Sequence, residues 1–302
     1  MTAAGWRGEF AALFPAALFD EPLSKHTTFH IGGPADALVT ARSIADLTEL
    51  FAFSKKRRLP VFPVGWGSNL LVRDGGIRGI VLKFAGDFEE VRFAADDSVW
   101  TGAAVRLPNL VMQCAEQGLT GAEPLVGVPG CVGGALVMNA GTRQGEIGDL
   151  VRSVEIFEPK TLQAVVLPKA EIRFAYRSSS LQKSVLTGAV LELRRGSKVD
   201  IIEIIKKFQQ QRLKTQPVHS FNVGSVFKNP KDNFAAKLIE ESGFKGRPFG
   251  GARVSPKHAN FIENFAGAKA SDVLALVGEI QAAVKARTGV ELEPEMKVVG
   301  EA

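Results

Sequence analysis

Residues 124 to 142 run without a charge, yet five of these nineteen residues are glycine and two are proline. A membrane-spanning helix needs about 20 apolar residues, but glycine and proline at this density make a very poor helix. The stretch therefore reads as loop. A loop so rich in glycine needs a folded body to hold it. The rest of the chain supplies one, with 302 residues, 45% of them hydrophobic and 23% charged, an ordinary globular composition. At roughly 150 residues per domain, this length predicts two domains.

Several classes are excluded early. The two cysteines, Cys114 and Cys131, form no CxxC, and His26, His30, His219 and His258 show no ligand spacing. Neither a disulfide scaffold nor a structural zinc site is expected. The apolar residues 10–19 are preceded by Glu9, interrupted by Pro15 and followed by Asp20-Glu21-Pro22, so they read as a short core-facing helix and not as an export signal. A cytoplasmic protein without membrane insertion is the expectation. The net charge of +5 suits anionic partners, but the one dense basic run is Lys55-Lys56-Arg57-Arg58. That run ends a helix capped by Ser43, with Asp46 three residues on and Ile44, Leu47, Leu50 and Phe51 on its apolar face. Cations there complement the helix dipole. No aromatic residues interleave with it, so no nucleic-acid partner is expected.

Pro60 closes this helix and an extended segment follows. Strands are predicted at 79–84, 99–105, 151–157, 164–167 and 185–193. After Gly196 the apolar period becomes helical, through Ile201, Ile204, Ile205 and Phe208, and again through Val273, Val277, Ile280 and Val284, with Ser271 as cap and Gly289 past the end. The change of period predicts domains at 1–196 and 197–302, the first split into two lobes near 85.

Three glycine-rich segments carry the chemical information: His30 to Ala35, Val64 to Val72, and Gly127 to Gly141. Loops without Cβ atoms let backbone amides approach an anion. None matches the P-loop or the strand-bound GxGxxG pattern. With Ser68, Asn69 and Asn139 as polar groups, the three point to one large dinucleotide touching several loops.

Seven strings make the reading specific: KHTTFHIGGPAD, PVGWGSNLLV, GVPGCVGGALVMNAG, FAYRSSS, GSVFKNP, GGARVSPKHANFI and GVELEPEMKVVG. In this order they resemble the UDP-N-acetylenolpyruvoylglucosamine reductase family, flavoproteins that make UDP-N-acetylmuramate for peptidoglycan. The resemblance implies an α+β fold, with a two-lobed FAD-binding domain of the vanillyl-alcohol-oxidase (PCMH) type and a smaller C-terminal α/β substrate domain. It implies FAD, held without a covalent link, and NADPH as hydride donor. Flavin contacts would come from Ile31 and Gly32, from Gly65, Trp66, Gly67, Ser68, Asn69 and Leu70, and from Gly127, Pro129, Gly130, Gly133, Gly134, Asn139 and Ala140. This chain departs from the family where Trp66 replaces the usual glycine, where Cys131 replaces Thr or Ser, and at Thr142-Arg143-Gln144. It has no room for the extra tyrosine-bearing loop and resembles the loop-less branch.

Reducing an enolpyruvyl ether needs a hydride on the terminal alkene carbon and a proton on the carbon beside the carboxylate. The doubly charged aci-carboxylate between these events is basic at carbon, so a positioned serine hydroxyl can protonate it. Ser225 matches the family's acid. Arg177 and Glu295 match the residues that stabilise the charge, and preorganised donors in dry sites contribute about 2.7 to 4 kcal/mol each. Arginine offers a fork to a carboxylate. A glutamate helps only as a protonated donor or by orienting another donor, and Glu291 and Glu293 alternate with Glu295, so the assignment can slip by two residues. Tyr176, Lys214, Lys228 and Asn229 resemble contacts to substrate or nicotinamide nucleotide, while His258 and Asn260 are grouped with the substrate site as residues that order its loop. Nothing in the sequence gives the oligomeric state, and a monomer is favoured. A flavin oxidase of related fold and a non-catalytic nucleotide-sugar binder are the alternatives.

Overall fold

The computed structural model describes residues 4–302, which divide into two compact units. One comprises residues 4–19, Ala37–Trp66 and Gly79–Gln210; the other comprises Asp20–Asp36, Gly67–Arg78 and Gln211–Ala302.

The first unit has two buried clusters. One gathers Phe10, Leu47, Leu50, Phe51, Phe53, Ile80 and Leu82 around the helix Ile44–Arg57. Ser43 Oγ accepts from the Asp46 amide at 3.2 Å, and Arg58 ends the helix with a left-handed φ of 55°. The basic run lies in the last turn as expected, where Lys56 and Arg57 both pair with Glu9. The N-terminal helix spans Ala4–Leu13, earlier than the apolar residues suggested. Pro15 lacks the amide needed to continue it, and Leu18–Pro22 is a strand.

The second cluster lies on a five-stranded antiparallel sheet ordered Gln163–Pro168, Val151–Glu158, Val185–Glu192, Ser98–Gly102, Val91–Phe93. Val151 and Val154 are both buried although three apart, because a register shift between Val151 and Ser153 breaks the period-two alternation. The helices Leu107–Glu116 and Val132–Met138 contribute to the same cluster. Ile201 and Ile205, from the helix Lys198–Thr215, belong to it too. Residues 198–210 of this helix accordingly belong to the first unit.

The second unit packs Ala235–Glu241 and Ala270–Thr288 with the three-stranded antiparallel sheet Pro248–Phe249, Ala252–Val254, Ile262–Asn264. The cap of the second helix is Lys269, not Ser271, because Asp74 accepts from the amides of Ala270 and Ser271 and the helix begins two residues earlier. Leu70–Val72 runs parallel to Lys297–Val299, which brings the second glycine segment beside the C-terminal one.

Candidate active site

In the first unit the FAYRSSS string folds as a hairpin. Phe174–Ala175 pairs with Ser178–Ser179, and Tyr176 and Arg177 form its turn. Arg177 takes a φ of 53°, a left-handed conformation that costs a residue with a Cβ and holds where its surroundings enforce it. Those surroundings are visible: Nη2 donates to the Gly141 carbonyl at 3.0 Å, and Nη1 lies 3.3 Å from Glu146 Oε1. Glu146 Oε2 accepts from Asn139 Nδ2 at 2.6 Å. Asn139 is buried and ends the helix Val132–Met138 with a φ of 45°. Its amide also donates to the Ala175 carbonyl at 3.1 Å, and its Oδ1 accepts from the Gly148 amide at 3.0 Å. Its side chain is thereby committed to protein partners, so any contact it makes to a flavin comes from its backbone. Tyr176 is exposed, with the Arg177 guanidinium 4.9 Å from its ring centre.

The third glycine segment is anchored by its own amides. Val132 and Gly133 donate to the carbonyls of Val105 and Ala103 at 2.9 Å, and Gly130 accepts from Leu107 at 3.1 Å. A Cβ on Gly133 would press on Ala103 at 3.2 Å, and one on Gly65 would run into Cys131 Sγ. Gly65, in a loop, and Gly134, in the first turn of the helix Val132–Met138, are nevertheless exposed, as backbone facing a ligand should be. Gly127 and Pro129 are half-buried, and Ala140 closes the segment by donating to Ala135 at 2.8 Å and accepting from Ile147 at 2.9 Å. Trp66 is 45% exposed, with the Arg106 guanidinium 3.4 Å from its ring centre and Arg106 Nε buried without a hydrogen-bond partner. Exposed glycine backbone and an orphaned guanidinium N–H fit a flat, anionic dinucleotide. Among the described residues no cluster of side chains suits a metal.

In the second unit, Ile31 points into the core, so only its backbone is available to a cofactor. Gly32 accepts from the Ser24 amide at 3.2 Å, and a Cβ there would crowd Val72 at 3.0 Å. Gly67, at a φ of 68°, accepts from the Thr28 amide at 3.3 Å. Ser68 is half-buried, and Leu70 starts the strand paired with Lys297. Asn69 Nδ2 donates to the Glu295 carbonyl at 3.2 Å, while Asn69 accepts from the Lys297 amide at 2.9 Å.

The GSVFKNP string lies directly alongside. The Glu295 amide donates to the Val226 carbonyl at 2.7 Å, one residue past Ser225. Gly224, at a φ of 78°, donates to Asn222 Oδ1 at 2.9 Å, and no side-chain hydrogen bond ties down Ser225 among the described residues. Asn260 is buried and clamps the loop from below: its Oδ1 accepts from the Phe227 amide at 3.0 Å, its Nδ2 donates to the Phe227 carbonyl at 2.8 Å, and its own carbonyl accepts from Val226 at 2.9 Å. Asn260 thus orders the loop, with no side-chain atom left over for a substrate beyond one N–H. His258 Nδ1 accepts from the Asn260 amide at 3.3 Å, and burial pushes its pKa down, so it is neutral near pH 7.

The three C-terminal glutamates separate by partner. Glu291 meets Lys285 at 3.2 Å and Glu293 meets Lys228 at 2.6 Å, both glutamates exposed, whereas Glu295 is half-buried beside the Ser225 loop. Asn229 is exposed and accepts from the Ala235 amide at 3.0 Å, at the start of a helix. Lys214 is exposed in the last turn of Lys198–Thr215. Glu146, Asn222, Lys83 and Arg106 were not singled out by sequence reasoning. For Glu146 a signal existed, since it is the first acidic residue after the uncharged run.

Two family models match the chain: an FAD binding domain over residues 35–161 and the UDP-N-acetylenolpyruvoylglucosamine reductase C-terminal domain over residues 216–299. A UDP-N-acetylenolpyruvoylglucosamine reductase of Alkaliphilus metalliredigens is 41% identical over 297 residues, covering 97% of each chain. That of Lachnoclostridium phytofermentans is 40% identical over 287 residues, covering 93% of this chain and 92% of its own. Among solved structures, UDP-N-acetylenolpyruvylglucosamine reductase from Thermus caldophilus superposes with a TM-score of 0.81 at 36% identity, covering 94% of this chain and 98% of that one.

Proposed function

The chain belongs to the UDP-N-acetylenolpyruvoylglucosamine reductase family, and from that premise we propose how its own residues reduce UDP-N-acetylglucosamine enolpyruvate to UDP-N-acetylmuramate. FAD, when bound, supplies the hydride that it takes from NADPH. Residues 1–196 hold the flavin and residues 197–302 hold most of the substrate, with Lys214, Lys228 and Asn229 from the second segment and Tyr176 from the first as contacts to the substrate or nicotinamide nucleotide. Arg177 forks onto the substrate carboxylate as charge accumulates there. Ser225 gives its hydroxyl proton to the carbon beside that carboxylate, and solvent restores the serine hydroxyl. Glu295 acts on the same carboxylate, as a donor when protonated or by orienting another donor. His258 and Asn260 keep the Ser225 loop in shape. The protein acts as a monomer in the cytoplasm; among the described residues no helix is long and apolar enough to cross a membrane.

The observation that carries this reading is the 2.7 Å bond from the Glu295 amide to the Val226 carbonyl, which joins the C-terminal glutamate to the serine loop. The experiment follows both half-reactions anaerobically. NADPH should bleach the flavin absorbance and the enolpyruvyl substrate should restore it. A flavin that oxygen restores but the enolpyruvyl substrate does not would favour an oxidase, and a colourless protein would favour a binder.

A further inference from the structure

Lys83 and Arg106 are two half-buried cations on the backbone around Gly65 and Cys131: Lys83 follows Leu82, whose carbonyl accepts from the Val64 amide at 2.8 Å, and Arg106 pairs its backbone with that of Cys131. Among the described residues neither has an acidic partner, and Arg106 Nε is buried with no acceptor. Burial pushes the pKa of both below the ordinary value, with Cys131 opposing the shift. A protein that leaves two cations part-desolvated and unpaired gives up stability unless an anion joins them. Their surroundings are the glycine loops: a Cβ at Gly65 would strike the Cys131 sulfur, and Gly134 lies within 3.9 Å of it by the same measure. Trp66, where the family usually has glycine, lies flat against the Arg106 guanidinium at 3.4 Å. Stacking there fixes the fork in one orientation and lowers the entropy lost when it engages a ligand.

We infer that Lys83 and Arg106, the latter held by Trp66, form the diphosphate-binding pair of this chain's dinucleotide site. Two positive charges match the two negative charges of a dinucleotide diphosphate, and the guanidinium fork matches phosphate oxygens. The assignment rests on the FAD reading above and deepens it for residues peculiar to this chain. It gives Trp66 a reason to stand where the family has glycine: the ring is the platform for an arginine.

The test is a set of binding titrations on the flavin-free protein, with FAD, ADP and riboflavin as probes, in wild type, Arg106→Ala, Arg106→Lys, Lys83→Met and Trp66→Gly. Arg106→Ala and Lys83→Met should each weaken FAD and ADP by about 10- to 100-fold, the range for a hydrogen bond to a charged group. Riboflavin, which lacks the diphosphate, should bind the Arg106 and Lys83 variants as it binds wild type. Arg106→Lys should recover part of the loss, and Trp66→Gly should fall between wild type and Arg106→Ala. Thermal unfolding of the flavin-free variants should occur at or above the wild-type temperature, since an unpaired cation has been removed. FAD and ADP affinities within twofold of wild type in both single variants would overturn the inference, as would an equal loss for riboflavin. If wild type binds ADP in an Arg106-dependent way but not FAD, the pair stands and the flavin reading falls; if it binds neither, both fall.

Discussion

Nη1 of Arg177 lies 3.3 Å from Oε1 of Glu146, and the other oxygen of that carboxylate accepts from the buried Asn139. One carboxylate thus couples the arginine proposed to meet the substrate to the residue that ends the third glycine segment. Glu146→Gln keeps the shape but not the charge. Reoxidation of reduced flavin by the enolpyruvyl substrate should slow by about 10- to 100-fold, with reduction by NADPH much less affected. Combined with Arg177→Ala, the loss should be smaller than the product of the separate losses, because the two act as a unit. Stopped-flow traces of both half-reactions decide it; fully multiplicative losses would show that Glu146 does not work through Arg177.

Ser225→Ala should leave flavin reduction by NADPH almost intact and slow reoxidation by several orders of magnitude, since only the second half-reaction puts a proton on carbon. Equal slowing of both would make Ser225 structural.

At the C-terminus, Glu295→Gln retains a hydrogen-bond donor, so if the carboxyl donates, it should keep much more reoxidation activity than Glu295→Ala. If Glu295 acts as an anion, both should be similarly damaged. The control is Glu293→Ala, which removes only an exposed partner of Lys228 and should change stability by about 1 kcal/mol or less. A larger activity loss at Glu293 than at Glu295 would move the role by two residues.

Asn260→Ala leaves the amide and carbonyl of Phe227 without partners in a buried site. Each stranded group costs about 1 to 3 kcal/mol, so urea unfolding of the variant should report a loss in that range or above. A midpoint unchanged from wild type would show that the clamp contributes nothing.

His258 supplies a pH signature. Its folded pKa is depressed by burial while the unfolded histidine titrates near 6.5. Below that value the unfolded chain binds the proton first, so this contribution to stability is present above about pH 6.5 and is lost as pH falls toward the folded pKa. His258→Gln should flatten the dependence in that window, as read from unfolding midpoints at a series of pH values. An unchanged slope would exclude His258 as its source.

Local devices were legible in the chain because their causes are local. The Ser43 cap, the basic last turn of the helix it opens and the strand near 185–192 follow from propensity and spacing alone, and the seven ordered strings carried the family and its chemistry. What stayed hidden depends on partners far apart in sequence. Nothing in the period of residues 197–210 shows that Ile201 and Ile205 pack on the first unit's cluster, because helical spacing gives a face and not what the face meets. Three alternating glutamates look alike until Lys285 and Lys228 take two of them and the Val226 carbonyl draws in the backbone of the third. Arg106 reads as an ordinary arginine before a helix until folding lays it on Trp66 and buries its Nε with no acceptor. The sequence by itself determined which groups the chain could offer; the tertiary structure decided which of them were consumed by protein partners and which were left for a ligand, since desolvation and pairing exist only once distant segments meet.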